Sequence, residues 1–514
     1  MRRFLVLLVT AVLLLTGCSW SGDPEPGSSQ LGAYSDHSDD SDTAPVREHI
    51  SLIFYEDMDT NPLTATNSEN HELLKLVYSP LIRLDGNLKP QYVLAETVQS
   101  EGAEVTVTLK EGLKFSDGAA VTAADVTESI KVIKANPTSP YHARLANIKQ
   151  YKAADGRTVK ITLFQPDVDF INCLDIPVVQ KKGGLGCGPY RFSQKGGEQV
   201  LTPNEHYFAQ PAIQTVYLKK PATEKERQEM FSVGLLDVYF GTAESTQVFA
   251  GGKEYKVQTY PGDNLLYLGV NCREGLLANA EFRYFLNQLT AREKLVNSVL
   301  LGQAEAARYP YQPSWYKAEQ TVSGQGLSDT EKKAQAAKLG LQVTEKALLD
   351  GEGNPLSFRL MVVEESAIHT ASAQAIAEGL AVAGVEIQME PVPRATYDAR
   401  LAEGNFDLYL GEVKTGRTLN PSLYATANAI NFSGGLFPEL EQAAADYKSG
   451  TLLLTDYCKI YDQYTPILPL AYRGGALFTA ADIGEFKFTA TWALYGDITK
   501  LVIKTDKSET EKTK

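Results

Sequence analysis

Apolar and polar positions alternate along this chain in short runs, and most runs close on a turn signal. "HISLIFYED" (49–57), "EVTVTLKEGLKFSDG" (104–118) and "DGRTVKITLFQP" (155–166) follow period two and adjoin polar or Asp-Gly punctuation, which predicts strands. "YRFSQKGGEQVLTPNEHYF" (190–208) reads as a hairpin and "TVYLKKP" (215–221) as a further strand. Helical spacing runs through "ENHELLKLVYSPLIRLD" (69–85) and "VTAADVTESIKVIKA" (121–135), the second with Thr122 as N-cap and Asp125 three residues on. "TEKERQEMFSVGLLDVYFG" (223–241) is a helix running into a strand. "NLLYLGVNC" (264–272) is a strong apolar strand, followed by one or two amphipathic helices in "NAEFRYFLNQLTAREKLVNSVLLG" (279–302). From Leu356 to Val413 the order is strand, helix, strand, helix, strand, which implies an α/β domain with a largely parallel sheet.

The two ends depart from this pattern. Met1-Arg2-Arg3 precedes an apolar run from Phe4 to Leu15 and then Leu15-Thr16-Gly17-Cys18. Two cations, a short apolar stretch and small residues at its end make a secretory signal over 1–17. The run is shorter than the roughly 20 residues that span a bilayer. "LTGC" resembles the lipobox of bacterial lipoproteins, so Cys18 is expected to carry lipid and hold the chain to the outer face of a membrane. Residues 18–46 are Ser-, Asp-, Gly- and Pro-rich, too poor in large apolar groups to form a core, and read as a disordered tether with a reach of about 30 Å. Residues 506–514 read as a frayed tail.

Between the ends lie roughly 460 residues, too many for one core and suited to two or three domains. A net charge of -14 argues against a nucleic-acid partner. Neither a CxxC pair nor an HxxxH helix occurs, so neither a metal site nor any other cofactor is expected. For Cys173 and Cys187 a disulfide and buried free thiols remain equally open, with Cys272 and Cys458 unassigned.

Two stretches resemble enzyme motifs. "GGLGCGPYRF" (183–192) fails as a phosphate loop, because Pro189 stands where GxGxxG needs its last glycine and a strand follows. Ser314-Trp315-Tyr316-Lys317 with Lys414-Thr415-Gly416 has the SxxK and KTG form of penicillin-recognising serine acyl enzymes. Against that reading, SWYK follows two prolines, and no S-x-N lies between the two motifs. The six histidines are scattered, and the adjacent carboxylates Glu364 and Glu365 do not by themselves select acid/base chemistry.

Several blocks, taken in order, resemble one family: the solute-binding proteins of peptide- and nickel-type ABC transporters, family 5. They are "VYSPLIRLDGNLKPQYVLAETV", "VTVTLKEGLKFSDGAAVTAADVTESI", "GCGPYRF…LTPNEHYF", "VGLLDVYF", "LLYLGVNC", "FRYFLNQLTAREKLVNSVLLGQA" and "PILPLAY", running from about Val77 to Tyr472. The resemblance implies an α/β, two-lobed periplasmic-binding-protein-like fold (class II), with a hinge and an extra subdomain in lobe I. Lobe I is expected over 47–262 plus 473–505 and lobe II over 263–472, with chain crossings near "YPGDNLLYLGVN" and "PLAYRGGALF". It implies an extracytoplasmic monomer, lipid-anchored, that is no enzyme and delivers a peptide or other small solute to ABC permease and ATPase subunits. A ligand sensor not coupled to transport is the other non-enzymatic reading. In this register Gly186 and Gly188 give the loop backbone freedom, Pro189 fixes its exit, and Cys187 stands where the family more often has a small hydroxyl residue.

Two departures bear on the ligand. Peptide-binding members place an aspartate after the segment matching "FDLYLG", where this chain reads "EVKTGRTLNP"; dipeptide binders place an arginine where it has Glu364-Glu365. Glu412 is the candidate replacement, with Lys414 or Arg417 as an anion contact; the alternative is that these are rim charges. By family position the remaining cleft candidates are Tyr55, Asn61, Pro62, Trp315, Tyr424 and Asn431.

Overall fold

A computed structural model describes residues 46–241, 249, 252–318, 326–416, 431–483, 495, 498–501 and 503–504. The expected signal peptide, Cys18, most of the tether, Arg417, Tyr424 and the tail lie outside the described residues. Val46, the last residue assigned to the tether, pairs with Lys504 in a two-stranded ribbon.

Three larger sheets organise the chain. In the first, His49–Ile53, Thr215–Lys219, Glu198–Pro203 and Tyr190–Lys195 lie side by side in that order. The second, antiparallel throughout, orders Ala95–Glu101, Glu104–Leu109, Thr158–Leu163 and Ile148–Ala153. Its alternation is the one the sequence shows: Val105, Val107 and Leu109 are buried, with Val159, Ile161 and Leu163 beside them. The Ala123–Ala135 helix covers that face with Val126, Ile130 and Ile133. It starts at Thr122, whose N–H and hydroxyl both donate to the Asp125 carboxylate, at 2.9 and 2.6 Å.

The third sheet joins Val238–Gly241, Ile467–Ala480, Tyr255–Val270, Leu408–Lys414, Ser357–Val363 and Glu386–Val392, and Ala304–Ala306 adds to the edge of Ile467–Ala480. It is mixed, not largely parallel. Ser357–Val363 runs parallel to both its neighbours, the product of the strand–helix–strand order. The two long strands are antiparallel to each other, because one carries the chain outward and the other returns it. Their pairing slips between Tyr260 and Asn264. At that slip the backbones nearly touch: a Cβ on Gly262 would lie 2.0 Å from the Arg473 carbonyl oxygen, and one on Gly474 would lie 1.8 Å from that of Tyr260. Main-chain groups left over there find other partners, the Gly262 carbonyl accepting from Gln312 and the Gly474 N–H donating to Gln303.

Helical spacing misled at 69–85. The helix ends at Leu74, and Ile82–Leu84 is a strand. The carbonyls of Leu76 and Val77 accept from Tyr190 and Gly188 N–H groups instead of continuing a helix, and Pro80 disfavours a helical residue before it. The same contact explains the glycine loop. Gly186 and Gly188 do not adopt left-handed backbone; an added Cβ would meet the Val77 carbonyl oxygen at 2.0 Å and the Leu76 one at 2.5 Å. Close approach, not conformational freedom, requires glycine at both.

Apolar residues of the second sheet share one contiguous core with Trp315, Phe437, Leu440, Tyr457 and Tyr461. Cys173, Cys187, Cys272 and Cys458 are free thiols, so the disulfide alternative is not formed. Burial pushes the Cys187 thiol up to about 12, which removes it as a nucleophile.

Gly474→Ala is expected to destabilise the protein by about 1–3 kcal/mol in urea unfolding, because the added methyl must part the two long strands. Gly156→Ala, with nothing within 4 Å of its Cβ, is the control expected to leave the midpoint in place.

Candidate functional site

The slip between the long strands opens into a cleft of about 840 Å³, within the range of roughly 300–1,000 Å³ that ligand pockets occupy. One wall is the Ser68–Leu74 helix and its approach (Ala65, Glu69, His71, Glu72), with Arg144 and Arg227. Tyr260 and Asp263 come from the outgoing long strand, and Lys414, Thr415 and Gly416 from the end of Leu408–Lys414.

The helical wall is set by local chemistry. Asn67 caps the helix through the Asn70 N–H at 2.9 Å. Buried Asn70 then bonds both main-chain groups of Tyr55 at 2.8 Å, tying the segment after the first strand to the helix. Most cleft charges have a partner at hydrogen-bond distance. Arg227 is held by Glu69 at 2.7 Å and Glu224 at 2.6 Å and lies over the Tyr239 ring. Arg144 bonds Asp175 at 2.9 Å and Glu72 bonds Lys75. Lys414 and Asp263 are 3.8 Å apart, a looser pair. Burial raises the Asp263 carboxyl above its ordinary value, against the opposing charges of Lys414 and Arg144.

Of the residues singled out from sequence, Lys414 lines the cleft. Glu412, two residues earlier, does not; it accepts from Arg473 Nη1 at 2.9 and 2.8 Å and lies 2.9 Å from His369 Nε2. Arg473 lies beside the slip, so Glu412 ties its strand to the crossing. Burial alone would raise the Glu412 carboxyl, but the His369 hydrogen bond and the Arg473 charge outweigh it and hold it below its ordinary value. Glu364 is exposed, and Glu365 accepts the Arg394 N–H at the start of the Arg394–Glu403 helix. Tyr55 is half-buried beside the cleft wall, its hydroxyl pushed up by burial and by Glu69. Asn61 bonds within its own turn, and Pro62, Asn431 and Trp315 are buried. Glu69, Arg144, Arg227 and Asp263 were not foreseen. Asp263 carried a signal, a carboxylate between glycine and an apolar strand; the others sit on amphipathic helices or beside them, where a charge is ordinary.

The serine-enzyme constellation is not assembled by the contacts here. Lys317 bonds the buried Asp169, which also accepts the Tyr447 hydroxyl at 2.9 Å, while the Ser314 N–H faces Glu305 and Lys414 faces Asp263. Among the described residues no group of three or more His, Cys, Asp or Glu is placed to hold a metal, and no helix is long and apolar enough to cross a membrane.

Residues 87–429 match the model for bacterial extracellular solute-binding proteins, family 5 Middle. The probable D,D-dipeptide-binding periplasmic protein DdpA of Escherichia coli (strain K12) is 27% identical over 332 residues, 60% of this chain and 62% of that protein. The oligopeptide-binding protein AppA of Bacillus subtilis (strain 168) is 25% identical over 382 residues, 68% of this chain and 69% of that one. The chain thus matches less than two thirds of the length of DdpA. In fold it is similar to MppA, a periplasmic murein tripeptide binding protein in unliganded open form, at TM-score 0.74 and 18% identity, covering 91% of this chain and 99% of that one. A nickel ABC transporter protein from Bacillus halodurans gives TM-score 0.72 at 19% identity over 89% of this chain and 100% of that one. The two-lobed α/β architecture is therefore that of the periplasmic binding proteins.

Glu412→Gln is expected to cost about 2 kcal/mol of stability at neutral pH, the worth of hydrogen bonds to a charged group. Because the Glu412 carboxyl is depressed on folding, its contribution is complete above the unfolded pKa and lost as pH falls through the folded one. The gap between variant and wild type should therefore close in acid. Urea titrations at neutral pH and near pH 3, below the usual carboxylate range, read this directly; a constant gap would assign the loss to packing.

Proposed function

Because the chain belongs to the family 5 bacterial extracellular solute-binding proteins, we propose that it is the solute-capturing subunit of an ABC importer and that its solute is a peptide or a related small molecule. The observation that carries the reading is the cleft of about 840 Å³ between the Ser68–Leu74 side and the end of Leu408–Lys414, at the slip of the two crossing strands. A solute touching both walls favours the closed arrangement by as much as it binds that arrangement better. The peptide preference draws on what DdpA and AppA are named for binding.

We infer the remaining parts from the sequence and the family resemblance: export by residues 1–17, lipid on Cys18, a tether that ends before Val46, and a monomer that presents its closed form to permease and ATPase subunits. The protein binds its solute without transforming it; the engagement of Lys317 with Asp169 supports this by taking the SxxK lysine away from Ser314.

Mass spectrometry of material released by denaturing gently purified protein is expected to find a peptide. Titration with a peptide library is expected to lower the radius of gyration in solution scattering. An empty cleft that ignores the library would remove the peptide reading. Cys18→Ala is expected to move the protein from the membrane to the soluble fraction.

A further inference from the structure

The cleft's charged groups differ in how firmly they are held. Arg227, Arg144 and Glu72 have partners within hydrogen-bond distance on their own wall. Asp263 does not. Its side chain is 10% exposed, and its one ion-pair partner among the described residues, Lys414, is 71% exposed and stands 3.8 Å away. An ammonium so open to water keeps most of its hydration and gives a buried carboxylate little in return. The Asp263 main chain is nevertheless fixed, its carbonyl accepting the Thr415 N–H at 2.8 Å and the Thr415 hydroxyl at 3.1 Å. A carboxylate already stripped of water, rigidly placed, facing a cavity and poorly paired is a seat for a cation from outside.

We propose that Asp263 receives a primary ammonium group of the solute, and that this group displaces Lys414, which returns to water. The proposal rests on the cleft being the solute site. It assigns the cation subsite to the crossing strand itself, next to Gly262, and not to the loop beyond Leu408–Lys414. Asp263 lies in the strand that passes between the walls, so an ammonium seated there stands where their relative position is set. Lys414 is then a resident competitor: it occupies the carboxylate before binding and repels the ammonium afterwards.

The test uses the full chain, immobilised, and a mixed tripeptide library without Lys or Arg, offered with free amino termini and, separately, N-acetylated. Wild type is expected to retain the free library at least tenfold over the acetylated one. Asp263→Asn should erase that preference, and Lys414→Met should raise retention of the free library threefold or more. Equal retention of both libraries by wild type, or a preference that survives in Asp263→Asn, would overturn the ammonium seat and leave solute binding intact. Retention of neither library would overturn the peptide reading and this inference together. Should Asp263→Asn fail to fold, as its melting temperature would show, Lys414→Met decides alone: unchanged or weaker retention of the free library rejects the proposal.

Discussion

The near-contact of two backbones at Gly262 and Gly474 is the constraint around which the molecule is arranged. The two long antiparallel strands slip past each other there, and their backbones approach too closely for a Cβ at either of these two positions. The slip frees main-chain groups that Gln303 and Gln312 then occupy, and it leaves space beside the strands for a cleft. Glu412 fastens the neighbouring strand to the crossing through Arg473. Strand slip, cleft and charge cluster are thus parts of one local arrangement.

Buried cations elsewhere obey a different economy. Arg283 collects the carbonyls of Leu277, Ala278, Tyr464 and Thr465 in place of a carboxylate. Arg292 does the same with Asn287, Ala307 and Pro469, and burial pulls its guanidinium down to about 9. Five donors in a rigid fork suit helix ends and strand starts, which leave carbonyls unpaired. Lysine at either place would satisfy fewer of them. In the cleft, by contrast, cations meet carboxylates, and the pairs differ in tightness.

Local signals were legible in the sequence, and long-range ones were not. Period-two runs located the strands of the first sheet and two of the four in the second, missing Ala95–Glu101 and Ile148–Ala153, and Thr122 with Asp125 marked a helix start, because pattern and partner lie within a few residues. The helix over 69–85 was overextended because its end depends on Leu76 and Val77 pairing with a loop more than a hundred residues on. Strand directions in the third sheet were misjudged for a similar reason, since the returning strand arrives only near residue 467. Family position led to Lys414 but also to Glu364, Glu365 and Asn61, which bond within their own turns or face water. Arg227 and Arg144 reach the cleft from separate segments, and no spacing in the sequence connects them.

The carbonyls gathered by Arg283 and Arg292 set an order of events. The helices at Ala280–Leu289 and Arg292–Ser298 finish their polar bonding only with Tyr464, Thr465 and Pro469, and Arg283 lies 181 residues before Tyr464. Val46 and Arg47 likewise wait for Ile503 and Lys504. Such a chain has few places to stop while being made: nearly all of it must be present before its ends and its second half can close. Non-local pairing of this kind slows folding and prolongs the exposure of apolar strands. The return strand Ile467–Ala480 therefore makes the third sheet depend on a segment that is synthesised late.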